Sequence, residues 1–183
     1  MKTEKCLYGY FIIDNVIISS TEFNLSKINN GTIIYEVIRV IGGKPLFFKE
    51  HFNRFHSSIL TKEIVTVLDY ESVLAQIKTL INKNHLTEGN IKYQISTNPS
   101  NTTSFSAWIQ PHYYPPSQQY EVGVNVSTID EQRNNPNLKI YNKDYISKVN
   151  RKLQDSSTFE VLLTNQYNDI TEGSRSNVFF IKD

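Results

Sequence analysis

The sequence contains a single cysteine, Cys6, among 183 residues. One thiol excludes an internal disulfide framework and a CxxC metal site, so no metal is expected and a reducing, cytoplasmic compartment is. Long hydrophobic runs are also missing. The opening MKTEKCLYGYFIIDN is too short and too interrupted for a signal peptide or membrane span. An excess of either charge is missing too: 19 Lys and Arg stand against 18 Asp and Glu, leaving +1. No electrostatic footprint for nucleic acid or an anionic membrane follows from that balance, which favours a small-molecule or protein partner. Proline is sparse and clusters only once, in YYPPSQQ at 113–119. No internal repeat or low-complexity segment stands out.

The apolar content of 39% is enough for a sizeable core in one generous domain or two small ones. LYGYFIIDNVIIS reads as a hairpin turning at Asp14-Asn15. TIIYEVIRVIGGKPLFF reads as a long strand through Val40, a Gly42-Gly43 turn and a short return strand. Together they predict an antiparallel meander. Phe52, Phe55 and Ile59 fall at i, i+3 and i+7, one face of a helix. Asp69 is a candidate N-cap for a second helix with the stripe Val73, Ile77, Leu80 and Ile81, ended by a stop signal over 87–90. IKYQIST and SFSAWIQ are strands. Strands and helices in blocks define an α+β unit over 1–113.

Pro-Pro in an extended conformation makes a semi-rigid connector, so 114–119 is the expected linker. The second domain, 120–183, reads as a strand in EVGVNVST, a polar loop EQRNNPN, a helix in YISKVNRKLQD, a strand FEVLLT and a closing strand NVFFI. Against this framework stand Lys139 in NLKIYN, Glu172 before Gly173, and Arg54 on the polar side of the first helix. Taken singly, each fits a solvated surface group. As a set they are what a pyridoxal phosphate site requires, an amine for the cofactor aldehyde, a carboxylate for the pyridine nitrogen and a guanidinium for the phosphate, although composition and spacing alone do not single them out and no short motif announces this cofactor.

YEVIRVIGGKPLFFKEHFNRFHSS, LKIYN and TEGSRSNVFF occur in the order found in the class IV aminotransferases, and the chain resembles that family over nearly its whole length. The last motif is specific in combination with a lysine about 30 residues upstream. The family comprises fold-type IV pyridoxal phosphate enzymes: branched-chain aminotransferases, D-amino acid aminotransferases and aminodeoxychorismate lyases. The resemblance implies a two-domain α+β fold like that of D-amino acid aminotransferase, with the second domain incomplete, because relatives continue past the segment matching NVFFIKD. It assigns Arg54 to the cofactor phosphate and Lys139, not Lys143 or Lys148, to the aldimine. Glu172 goes to the pyridine nitrogen, with Ser174, Arg175 and Ser176 behind the cofactor.

Tyr35 matches a tyrosine on the substrate side of some relatives, although an aromatic on a strand is more often a core residue. Lys92 and Thr97 stand where relatives often carry arginines for the substrate carboxylate; Lys92 also fits a solvent-facing strand position. The implied activity is transamination of an amino acid to a keto acid. Aminodeoxychorismate lyase activity, which yields 4-aminobenzoate for folate, is the alternative on the same site, and a noncatalytic remnant of the fold is a second. A homodimer is the implied assembly.

Overall fold

The computed structural model describes residues 5–133, 135–136, 138–154 and 158–182. These form two units, one of the described residues up to 113 together with 138–141, the other of those in 114–136 and from 142 onward. The segment 138–141 thus groups with the first unit, although it lies beyond 120 in sequence.

The first unit opens with the expected hairpin, β1 (Leu7–Ile13) and β2 (Val16–Ser19). Asp14 and Asn15 both have positive φ, 46° and 69°, as a two-residue primed turn requires. A 3-10 turn at Ser20–Glu22 and the one-turn helix α1 (Leu25–Ile28) lead to β3 (Thr32–Ile41). β4 (Lys44–Pro45) returns across the glycine pair. Then come α2 (Phe48–Thr61), α3 (Tyr70–Lys83), β5 (Glu88–Thr97) and β6 (Thr103–Gln110).

The strands form one six-stranded antiparallel sheet in the order β2-β1-β6-β5-β3-β4. The meander expectation fails here. β3 pairs along its whole length with β5, from Thr32 opposite Thr97 to Ile41 opposite Glu88. That pairing places β5 and β6 between the two hairpins.

Alternation along the strands decides which face is buried against helices. Ile34, Ile38 and Val40 of β3, with Ile91, Tyr93 and Ile95 of β5, pack against Phe52, Phe55 and Ile59 of α2 and the Val73, Ile77, Leu80 stripe of α3. Asp69 caps α3 as expected: it accepts from the Ser72 N–H at 2.8 Å while Ser72 Oγ accepts from the Asp69 N–H at 3.1 Å. The helix ends at Lys83, ahead of the stop signal, and Gly89 and Asn90 belong to β5. The opposite sheet face carries a smaller cluster of Phe11, Ile28 and Trp108.

The second unit contains α4 (Ser117–Val122), β7 (Val126–Asp130), α5 (Lys143–Leu153), β8 (Glu160–Thr164) and β9 (Ile170–Gly173). β7 and β8 are parallel, joined through α5, and β9 is antiparallel to β8. Two expectations are corrected. The linker does not run extended into a strand from Glu121, because α4 takes Ser117–Val122 and ends at Gly123 with φ 79°. NVFFI is not a strand, because β9 lies before it and Phe179, Phe180 and Ile181 are exposed. The chain leaves the β8 edge at Ser174, where the Ser174 and Ser176 hydroxyls turn to the Glu160 carboxylate. Asn134 and Asn137 of the expected loop, Asp155 of the expected helix, and Asp183 lie outside the described residues.

Phe55 is fully buried, with its ring 5.1 Å from that of Tyr93. Phe55→Ala is expected to cost about 3–5 kcal/mol by urea unfolding. Leu60→Ala, at an exposed position of the same helix, should stay within about 0.5 kcal/mol of the parent.

Candidate active site

The segment around Lys139 is fixed by its backbone. The Tyr35 N–H donates to the Lys139 carbonyl at 3.0 Å, and the Tyr141 N–H donates to the Ile33 carbonyl at 2.9 Å. Ile140 thereby bridges Ile34 in antiparallel fashion. This is possible because β4 pairs only with Val40 and Ile41, leaving the N-terminal part of that β3 edge open. Lys139 Nζ lies 5.9 Å from the centre of the Tyr35 ring.

Tyr35 also faces Lys92 on the sheet face turned away from α2 and α3. Lys92 is 2% exposed, which overturns the solvent-facing alternative for this residue. Its Nζ lies 4.8 Å from the Tyr35 ring, 5.2 Å from Trp108 and 5.3 Å from Tyr141. Each such contact attracts an ammonium by about 0.5–2 kcal/mol. Tyr35 itself is half-buried, with its ring 6.4 Å from that of Tyr141. Lys139, Tyr35 and Lys92 are thus brought together at one end of β3.

Arg54 projects from α2 to the other side of the same strand. Its Nε donates to Glu36 Oε1 at 2.6 Å and its Nη2 to Glu36 Oε2 at 2.7 Å. The Glu36 side chain has no solvent exposure, whereas that of Arg54 is 43% exposed. His51, one helical turn before Arg54, places Nδ1 2.8 Å from Glu36 Oε2. A carboxylate only accepts, so Nδ1 carries the proton of that bond. Burial pushes the Glu36 carboxyl up, but the hydrogen bonds from Arg54 and then His51 outweigh it and hold the group below its usual range. The Glu36 hydrogen bond in turn raises the Arg54 guanidinium.

In the second unit, Glu172 lies on β9 opposite Leu163 and accepts from Arg133 Nη1 at 3.0 Å. Ser174 and Ser176 donate to the two oxygens of Glu160 at 2.5 and 2.8 Å. Arg175 donates to the Phe159 carbonyl. Gly173 has a local reason to be glycine: a Cβ there would sit 2.6 Å from the Ser176 carbonyl oxygen. The loop after Glu172 is therefore anchored from below by Glu160.

Glu36, His51, Arg133 and Glu160 were not among the residues singled out from sequence. Glu36 had a signal: it occupies the core-facing parity of β3 between Ile34 and Ile38. His51 and Arg54, spaced i, i+3, share a helix face. Arg133 and Glu160 had none, since their partners are distant in sequence. Among the described residues no group of His, Cys, Asp and Glu is arranged to hold a metal ion.

The folded Glu36 carboxyl titrates below its unfolded value. Its contribution is therefore complete above the unfolded carboxylate range and is lost as pH falls through the folded value. The difference in urea midpoint between the parent chain and Glu36→Gln should be largest near about pH 7 and shrink toward about pH 3. A difference that stays constant across that range contradicts the ion pair.

Comparison with known proteins gives the family and the fold. The sequence model described as "Amino-transferase class IV" matches residues 33–183. A D-alanine aminotransferase of Bacillus licheniformis is 27% identical over 161 residues, 83% of this chain and 56% of the relative. The chain thus spans little more than half the length of that curated relative. The branched-chain amino acid aminotransferase of Escherichia coli superposes with a TM-score of 0.74 at 19% identity, covering 91% of this chain and 62% of that one. A 4-amino-4-deoxychorismate lyase from Pseudomonas aeruginosa gives 0.65 at 16% identity, covering 89% and 64%. Matched over most of its length by the family's sequence pattern, the chain belongs to the class IV aminotransferases, and its α+β fold is part of theirs.

Proposed function

We propose that this chain binds pyridoxal phosphate and takes part in transamination of an amino acid to a keto acid, with Lys139 as the catalytic amine. The residues present fit the cofactor. Arg54 is gripped by Glu36 through Nε and Nη2, and its side chain is still 43% exposed, which suits a phosphate. Lys139 Nζ lies beside the Tyr35 ring, on a backbone tied to β3. That placement of Lys139 is the observation on which the reading rests.

In this reading Arg54 binds the phosphate by charge-assisted hydrogen bonds. Lys139 would hold the cofactor covalently through Nζ and, once the substrate amine has displaced it and freed Nζ, would take the proton from the substrate Cα. Glu172 holds a proton at the pyridine nitrogen, and Ser174, Arg175 and Ser176 shape the loop behind it. The chemistry the cofactor supplies is an electron sink for the bond broken at Cα. Tyr35 and Lys92 orient the substrate, with Lys92 offering its charge to the substrate carboxylate. In this reading the protein works in the cytoplasm as a homodimer, with one domain over 1–113 and another over 120–183; the segment 138–141 groups with the first, and α4 begins inside the 114–119 linker.

The curated relatives named D-alanine aminotransferase make D-alanine with a keto-acid acceptor the first substrate pair to test. A second reading, aminodeoxychorismate lyase, is favoured by the likeness to the Pseudomonas lyase structure. Both reactions yield pyruvate, so the co-product separates them: an aminated acceptor or 4-aminobenzoate.

Borohydride treatment of the chain saturated with pyridoxal phosphate should fix the cofactor mass on the peptide containing Lys139. Lys139→Ala should lose that label and lower kcat by about 10²–10⁴-fold. A label on Lys143 or Lys148, or none at all, overturns the assignment; absence of both label and turnover supports a noncatalytic remnant.

A further inference from the structure

The Glu36–Arg54–His51 cluster is unusual for the place it occupies. A carboxylate with no solvent exposure lies at a core-facing position of β3, where an apolar side chain would pack at no desolvation cost. Its neighbours on the same face, Ile34 and Ile38, are fully buried core residues. Electrostatic neutralisation of Arg54 alone does not require such a site, because a half-exposed guanidinium is already solvated.

What the site does achieve is orientation. Both oxygens of Glu36 are engaged, one by Arg54 Nε and the other by Arg54 Nη2 and His51 Nδ1. The guanidinium is planar, so two bonds to one carboxylate along the Nε and Nη2 edge fix its plane and leave Nη1 directed away from Glu36. His51 is treated the same way: with Nδ1 donating to Glu36, Nε2 is left on the far side of the ring.

We propose that Glu36 is a positioning residue for phosphate recognition, locking Arg54 so that its Nη1 edge meets a phosphate monoester dianion. This rests on the assignment of Arg54 to the phosphate and deepens it: selectivity for a phosphorylated over an unphosphorylated pyridoxal is set one layer below the arginine. Glu36 itself touches neither ligand. Its effect is confined to compounds that carry the phosphate.

Equilibrium binding of pyridoxal phosphate and of pyridoxal, followed by absorbance, separates this role from a merely structural one. The parent chain should prefer the phosphorylated compound. Glu36→Gln keeps the shape but loses the charge, and should reduce that preference by roughly ten- to hundredfold, the range expected for a lost charged hydrogen bond, with pyridoxal affinity little changed. Glu36→Asp, which keeps the charge but retracts it, should reduce the preference as well.

If both compounds weaken in parallel, or the preference is intact in the variants, the positioning role is overturned while Arg54 remains the phosphate residue. A parent chain with no preference for the phosphate overturns both. Should the variants fail to fold, nitrogen NMR of the Arg54 Nε–H in the parent chain decides. A single sharp resonance that shifts with inorganic phosphate supports the lock, and an averaged or unresponsive one overturns it.

Discussion

A buried carboxylate has to be compensated where it stands, and in this chain the compensation organises the first unit. Glu36 has no solvent exposure and cannot remain charged beside Ile34 and Ile38 without donors. Arg54 and His51 supply them from one face of α2. The same helix turns Phe52, Phe55 and Ile59 into the core. Hydrophobic packing and the ion pair therefore require the same rotation of α2 about its axis. Removing one partner leaves a charge in the interior, which is far more disruptive than replacing both.

β3 carries four different jobs because a strand has two faces and two edges. One face holds the core and Glu36. The other presents Tyr35 toward the Lys92 amine, enclosed by the rings of Tyr35, Trp108 and Tyr141. One edge pairs throughout with β5, and the other, left open by the shortness of β4, accepts the backbone of 139–141. The lysine we propose as the catalytic amine is thus held by main-chain bonds to the strand that also carries Glu36. In the second unit the loop after Glu172 is shaped by an analogous device, Glu160 beneath Ser174 and Ser176.

Much of this was legible before any coordinates. Periodicity located α2 and α3, and Asp69 was legible as an N-cap, while its partner Ser72 came from the structure. Turn residues at Asp14-Asn15 and Gly42-Gly43 gave both hairpins. The strand order was not legible, since pairing β3 with β5 is a long-range choice that local sequence does not encode. NVFFI has strand composition and is not a strand, because hydroxyl contacts to Glu160 lead the chain off β8 before it. Family resemblance nominated Lys139, Arg54 and Glu172; the residues that hold Arg54 and the Glu172 loop came only from the structure. Lys92 shows the limit of composition-based reasoning: a lysine is rarely buried, and here three aromatic rings bury it.

The central claim is that a strand built around Glu36 presents Arg54 and Lys139 to one phosphorylated pyridoxal. A crystal structure of the chain grown with pyridoxal phosphate tests it most directly. The account predicts continuous density from Lys139 Nζ to the cofactor and a phosphate against the Nη1 edge of Arg54, with the Glu36 contacts unchanged. A cofactor attached to another lysine, or a phosphate bound away from Arg54, would contradict it.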